Sequence, residues 1–430
     1  MSCTATLLVL LLVQGAFAAQ TVNVDIFGPG QRQVNVFIAQ PQALNGTVIT
    51  NIADTFEQAM VQNLSLLPFL KLVDQSSLLG GNPAKGVTAK DIDFKPLNLA
   101  KVDIILTTGW ENNAIQLRAY STFSGSRIIG KAYGNIDDSN VMRVADRFCS
   151  LFMKALTGKM GFFESTLAFV SKVGDGKQIF TVRPQGRDLK QITSLSGFNI
   201  SPAWSMDGSK IVFTHIGATG HELGLWEKTT NKTRLRRFAG DTVIGPAFSP
   251  ENELVVTLAK TGSPDIYKLN SAYKPTIPLV HSWAIDVSAS FDRTGKYMAF
   301  VSGRMGNPHI FLLDRETGKV KRVTYEGKYN TNPCLSPDGR YIAFSRMMPG
   351  GHRIFMHDLL TGMEKQITFG PGADEDPAFG PDGYFVAFSS NRSGQYKIYL
   401  TTRHGDAAKM VNTDGLSATA PAWDTANRQN

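Results

Sequence analysis

The residues of this 430-residue chain best suited to chemistry are seven histidines, one carboxylate triplet and two cysteines. His215, His221, His281, His309, His352, His357 and His404 all lie from residue 215 onward, with none in the first 214 residues. Imidazoles spaced around a ring could hold a metal or move a proton. No H-E-x-x-H occurs, however, to put two of them on one helix face. Asp374-Glu375-Asp376 could act as an acid–base pair if two carboxylates shared a proton, whereas a solvated loop needs nothing special of them. The chain has no G-x-S-x-G, no phosphate-cradling glycine–lysine loop and no G-x-G-x-x-G opening a helix. Cys149 and Cys334 lack metal-ligand spacing and fall in different expected domains, so they are read as buried free thiols. No catalytic residue, metal or cofactor is expected.

What positions these residues is a repeat. PAWSMDGSKIVF begins at Pro202, PAFSPENELVVT at Pro246, ASFDRTGKYMAF at Ala289, PCLSPDGRYIAF at Pro333 and PAFGPDGYFVAF at Pro377; a partial copy, PAWDTAN, begins at Pro421. The third position is always large and apolar: Trp204, Phe248, Phe291, Leu335, Phe379, Trp423. The seventh is Gly208, Asn252, Gly295, Gly339, Gly383 and Asn427, the residues that tolerate the positive φ of a tight hairpin turn. Two further strands follow each copy, the last polar and Lys-bearing as an exposed edge should be. Four strands every 40–45 residues or so is the signature of a propeller blade.

Residues 167–170 align as the second strand of a blade whose first strand is missing, and residues 418–423 form a first strand with no blade. The two should pair, closing a six-bladed ring with the chain's C-terminal strand. The expected fold is therefore an α/β N-terminal domain, residues 19–157, followed by an all-β six-bladed β-propeller over residues 158–430.

The first domain is read as strands over 22–27 and 34–38, a helix over 50–64, a buried strand over 102–107 and a hairpin around Ser124-Gly125. A long helix follows, capped by Asp138 or Ser139, with a stripe of Val141, Val144, Phe148, Leu151, Phe152 and Ala155, and stopped by Gly158. Residues 1–18 read as an export signal, an apolar LLVLLLV ending in Ala16-Phe17-Ala18. Its apolar run is well short of the roughly 20 residues that span a membrane. Residues 20–157 carry 12 basic and 11 acidic side chains, so the net +8 of the chain sits almost wholly on the repeats. Export argues against nucleic acid as the partner of that charge.

An export signal, an α/β domain and six PAWSPDG-type repeats in that order resemble the TolB family, periplasmic components of the Tol-Pal system. The resemblance covers essentially the whole mature chain. It implies a monomeric, non-enzymatic scaffold, outside the membrane, that supports outer-membrane integrity and envelope constriction at division. It also implies two binding surfaces. The segment Gln20, Thr21, Val22, Asn23, Val24, Asp25, Ile26 and Phe27 corresponds to the part that docks on the C-terminal domain of TolA; its alternation suits strand addition to a sheet edge. The loops before each repeat correspond to the face that receives the lipoprotein Pal, here Asn199, Thr242, Asp286, Val287, Thr331, Asn332, Glu375, Asp376 and Thr419. Thr242 stands where the family often has His, and Val287 where it has Thr. Two other readings remain open from the residues alone: a periplasmic propeller binding carbohydrate or peptide in its channel, and a metal-dependent propeller lyase.

Overall fold

The structure, a computed structural model, describes residues 32–46, 51–238, 242–259 and 262–426. The expected export signal and the Gln20 to Phe27 segment lie outside the described residues.

The first unit is a mixed sheet with helices on it. Val34–Ile38 runs parallel to both Leu70–Leu72 and Ile104–Glu111, and the sheet continues antiparallel through Ala114–Ser121 to Arg127–Tyr133. The buried strand begins and ends later than its apolar run suggested. Thr107 to Trp110 remain buried, and the pairing Trp110↔Ile115 carries the strand into its hairpin. Helices Asn51–Ser65 and Val141–Thr157 pack together on the sheet. The second has Asn140 at its N-cap position, not Asp138 or Ser139, and without a side-chain cap bond, because Asp137 takes the Ser139 amide (2.9 Å) and hydroxyl (2.6 Å) into a turn of its own and Asn140 accepts the Asp137 amide (3.1 Å). Gly158 ends the helix at φ 77°, a conformation glycine adopts without strain. The buried stripe is wider than expected: Ala145, Cys149, Met153 and Leu156 are buried, while Val144, Leu151 and Ala155 are only half-buried. A second wall, Phe162 and Phe163 with Trp423 and Phe385, covers the face of the helix turned from its own sheet.

The repeats form antiparallel meanders. Four sheets of four strands open with Val243–Phe248, Asp286–Phe291, Asn330–Leu335 and Asp374–Phe379. An eight-stranded sheet holds the remainder. One part of it opens with Phe198–Trp204; the other holds Leu167–Val173 and Gly176–Val182, joined to the first by the parallel bridge Phe198↔Lys177. The C-terminal strand Thr419–Trp423 pairs antiparallel with Leu167–Val173, Trp423 opposite Leu167. Each opening strand touches the next, and Thr419–Trp423 touches both Asp374–Phe379 and Phe198–Trp204.

The third-position side chains are all under 9% exposed, and the described seventh-position residues have φ between 59° and 76°. The polar fourth strands are shorter than their sequences suggested, for instance Val320–Arg322 and Glu364–Gln366. Two residues beyond three of these strands stands a threonine: the Thr193, Thr324 and Thr368 hydroxyls accept the amides of Ile179 (2.8 Å), Ile310 (2.9 Å) and Ile354 (2.9 Å), replacing a backbone rung.

The two units share one apolar core running from Phe56 and Trp110 through Phe148 and Phe163 to Phe385 and Trp423. A buried polar cluster crosses the same seam. Asp146, 3% exposed, accepts from Arg187 (2.5 Å) and Asn63 (2.9 Å), and Gln185 donates to Asn63 (2.9 Å) and to the Phe163 carbonyl (3.1 Å).

Candidate partner-binding face

Each opening strand begins with one side chain turned into the blade, and four of these are polar: Asn199, Asp286, Asn330 and Asp374, all 0% exposed. Burial of such groups is tolerated only with partners. Asp286 accepts both oxygens' worth of hydrogen bonds from Arg304 (3.0 and 3.2 Å), Asn330 accepts from Arg346 (2.7 Å), and Asp374 accepts from Arg392 (2.8 Å). Those guanidiniums are themselves sandwiched between rings: Arg304 by Phe300 and Phe311, Arg346 by Phe344 and Phe355, Arg392 by Phe388 and Tyr399, at 4.4–5.6 Å from the centroids. In the blade of Asn199 the partner is His215 Nδ1 (2.9 Å) together with Gln178 (3.0 Å). Burial lowers the His215 pKa, which keeps the ring neutral in this role.

Two residues further on, every opening strand has a bulge. The left-handed residue there is Ser201, Gly245, Ser288, Asn332, Asp376 or Ala420, with φ between 49° and 59°. These six residues line a central channel cavity of about 300 Å³. Among the described residues of its wall Asp376 is the only acid. Asn332 donates to its Oδ1 and the Ser389 hydroxyl to its Oδ2 (3.3 Å), while Ser389 also accepts the Ala420 amide (2.9 Å). Burial, helped by Glu375 next to it, pushes the Asp376 pKa up. Glu375 pairs with His352 (2.9 Å) and accepts from Tyr396 (3.4 Å) at the channel mouth.

The residues expected to meet a partner are thus divided. Asn332 and Asp376 meet in the channel wall; Thr419, Glu375 and Thr331 are half-buried, and Thr242 is exposed. Val287 is half-buried against the blade core. Asn199 and Asp286 are corrected: with no exposed surface, they brace the blade and offer nothing to a partner directly. Trp283 (78% exposed), Ile285, Met305, Tyr325, Tyr329 and Met347, none of them singled out by the sequence, stand exposed on the turns of this face. The Gly303 amide bonds the Ile285 carbonyl (2.9 Å), and the Met347 amide the Tyr329 carbonyl (2.9 Å), so these turns are neighbours. Large apolar side chains in the loop just ahead of a repeat were the available signal.

Residues 153–424 match the family described as the TolB beta propeller domain. Over 306 residues the chain is 46% identical to the "Tol-Pal system protein TolB" of Nitratidesulfovibrio vulgaris, covering 70% of this chain and 69% of that one. The chain belongs to the TolB family. A second relative, the "Tol-Pal system protein TolB" of Desulfosudis oleivorans, is 33% identical over 286 residues, 64% of each chain. The crystal structure of TolB from Acinetobacter baumannii superposes with a TM-score of 0.80 over 92% of this chain and 98% of that one, at 21% identity, a likeness of fold. The TolB repeats account for the bulges, the hairpin turns and the channel together. Among the described residues no helix is long and apolar enough to cross a membrane, and no group of His, Cys, Asp or Glu is arranged to hold a metal ion. Cys149 and Cys334 are free thiols, Cys149 fully buried, Cys334 with its sulfur accepting the Phe379 amide (3.3 Å).

Proposed function

We propose that this chain is a periplasmic, non-enzymatic scaffold of the Tol-Pal system that links the lipoprotein Pal to the C-terminal domain of TolA, supporting outer-membrane integrity and constriction at cell division. The observation that carries this reading is membership of the TolB family through a relative named as a Tol-Pal system protein. We read the chain as an α/β domain over 19–157 and a six-bladed propeller over 158–430. The closed cycle of contacts among the opening strands, with Thr419–Trp423 between first and last, supports six blades and closure by the C-terminal strand. Pal would dock over the channel mouth, on Thr242, Val287, Thr331, Asn332, Glu375, Asp376 and Thr419, with Trp283 and Ile285 as apolar anchors. Aromatic anchors on a braced surface are where interface energy concentrates. The arginine–aromatic stacks keep that surface stiff, so little ordering entropy is spent on docking. TolA would take the segment from Gln20 to Phe27 by strand addition.

The test is a pair of binding assays with the organism's own Pal and TolA C-terminal domain. Deleting residues 20–27 should abolish TolA binding and leave Pal binding intact, and Trp283→Ala should weaken Pal alone. Loss of both by either change, or of neither, refutes the division between the two surfaces.

A further inference from the structure

At the far end of the opening strands from the face just described, the hairpin turns and the peptide following Gly158 enclose a second cavity of about 310 Å³. Its wall comes from both units: Lys154 and Lys159 with Met160 on one side, Arg293, Pro337 and Asp382 on the other. Two buried polar atoms of that wall have no partner, Asp382 Oδ2 and Arg293 Nη2. Asp382 is 6% exposed, and its other oxygen accepts the amides of Tyr384 (2.9 Å) and Phe385 (3.1 Å). A desolvated donor or acceptor left unmade costs on the order of 1–3 kcal/mol, so each needs an explanation.

The repeat gives none. In the equivalent turns Ser205 and Ser336 donate to Asp207 and Asp338, each at 2.6 Å, and satisfy the acid within the turn. At Asp382 that serine position is Gly380, so the donor is gone. Arg293 likewise occupies a position held by Met206, Pro250, Pro337, Pro381 and Thr425 in the other copies. Two departures from a repeat that folds without them point into one cavity.

We propose that this cavity binds a small zwitterion, an α-amino acid or short peptide, with its carboxylate on Arg293 and its ammonium on Asp382. A simple anion would leave Asp382 Oδ2 unmet, and a simple cation would leave Arg293 Nη2 unmet even with the Asp424 charge nearby; one charge of each sign meets both atoms. Met160, Pro337 and Pro381 offer an apolar wall to the rest of the ligand. Burial pushes the Asp382 carboxyl up to about 6, against the pull of the two amides and of Lys159 and Arg403, as befits an acid short of a counter-charge. A bound ligand would bridge the helix stop at Gly158 and the propeller turns, stabilising the seam in proportion to its occupancy.

The experiment is calorimetric titration and thermal shift of the full chain with the standard amino acids and Gly-Gly, alongside acetate and methylamine. A saturable rise in Tm with at least one zwitterion, and none with either singly charged probe, is expected; whether Gly-Gly competes distinguishes free amino acids from peptides. Asp382→Asn, which can still accept the two amides, and Arg293→Gln should each weaken binding by about tenfold or more. Indifference to both substitutions, or equal binding of acetate, overturns the proposal. So does a crystal structure soaked with the panel in which only water, or residues 427–430, fills the cavity; that readout needs no variant to fold.

Discussion

The two ends of the channel are built from opposite ends of the same opening strands and yet differ in how their charges are finished. At the face of Asn332 and Asp376 the buried polar groups that open the blades each have an arginine, Asp286 with Arg304, Asn330 with Arg346, Asp374 with Arg392, and each arginine is held between rings; even Asp374 Oδ2, which accepts no hydrogen bond, has Arg353 at 3.8 Å as a counter-charge. At the opposite end Asp382 and Arg293 each leave an atom unmet. The first arrangement makes a stiff surface suited to a macromolecule; the second leaves local free energy for something small to release. The seam between the units lies between the two: Asp146 is held by Arg187 and Asn63, while Arg187 Nε and Gln185 Oε1 stay unmet.

The largest break of this contrast is removal of the finish itself. Cutting the chain before Ala418 deletes the strand paired with Leu167–Val173 and takes Trp423 from its place against Phe162, where its Nε1 donates to Ser165 (2.7 Å). A buried Trp alone is worth about 3–5 kcal/mol on truncation to Ala, and a domain has only about 5–15 kcal/mol to lose. Scanning calorimetry should therefore show loss of cooperative unfolding; an unchanged Tm would contradict ring closure. Next comes Asp146→Ala, which strands Arg187 at the seam, Arg183 keeping its pair with Asp188, and should cost about 3–5 kcal/mol by urea titration. Trp283→Ala, by contrast, removes only exposed surface and should shift stability by less than about 0.5 kcal/mol.

Asp382→Asn sharpens the comparison through pH. The folded acid titrates near 6, above its ordinary 3.8, so the native state binds the extra proton and stability falls as pH rises from about 4 to about 6. Asparagine removes that dependence. The variant should match the parent at pH 4 and exceed it at pH 7.5, by up to about 3 kcal/mol in denaturant midpoints without ligand. A variant no more stable at pH 7.5 would mean that the carboxylate is already matched in solution.

How much of this was legible in the sequence follows from what repetition can and cannot encode. The third and seventh columns state their physics outright, a large apolar side chain and a positive φ, so blades, turns and the pairing of 167–170 with the chain's last strand could be read directly. Asn199 and Asp286 could not: a polar residue at a strand start looks like a loop, and its partner lies 16 to 18 positions away in His215 or Arg304. The helix cap shifted to Asn140 because Asp137 formed a competing turn, a local choice that spacing does not reveal. The cavity at Asp382 was visible in principle as Gly380 breaking the serine column, but only the structure brings Arg293 to the same wall.

The smallest effect concerns the bulges that ring the channel. Ala420 holds φ 49°, where its Cβ is crowded by its own carbonyl, whereas Gly245 meets the same demand in another blade without strain. Its amide is fixed by Ser389, so the backbone stays put when the side chain goes. Ala420→Gly should therefore stabilise the chain by roughly 0.5–1 kcal/mol, because relief of the left-handed strain exceeds the entropy that glycine adds to the unfolded state. Gly245→Ala should cost a similar amount, and the pair measured together should nearly cancel. If Ala420→Gly destabilises instead, the bulge at that blade is set by packing against the channel wall rather than by tolerance of positive φ.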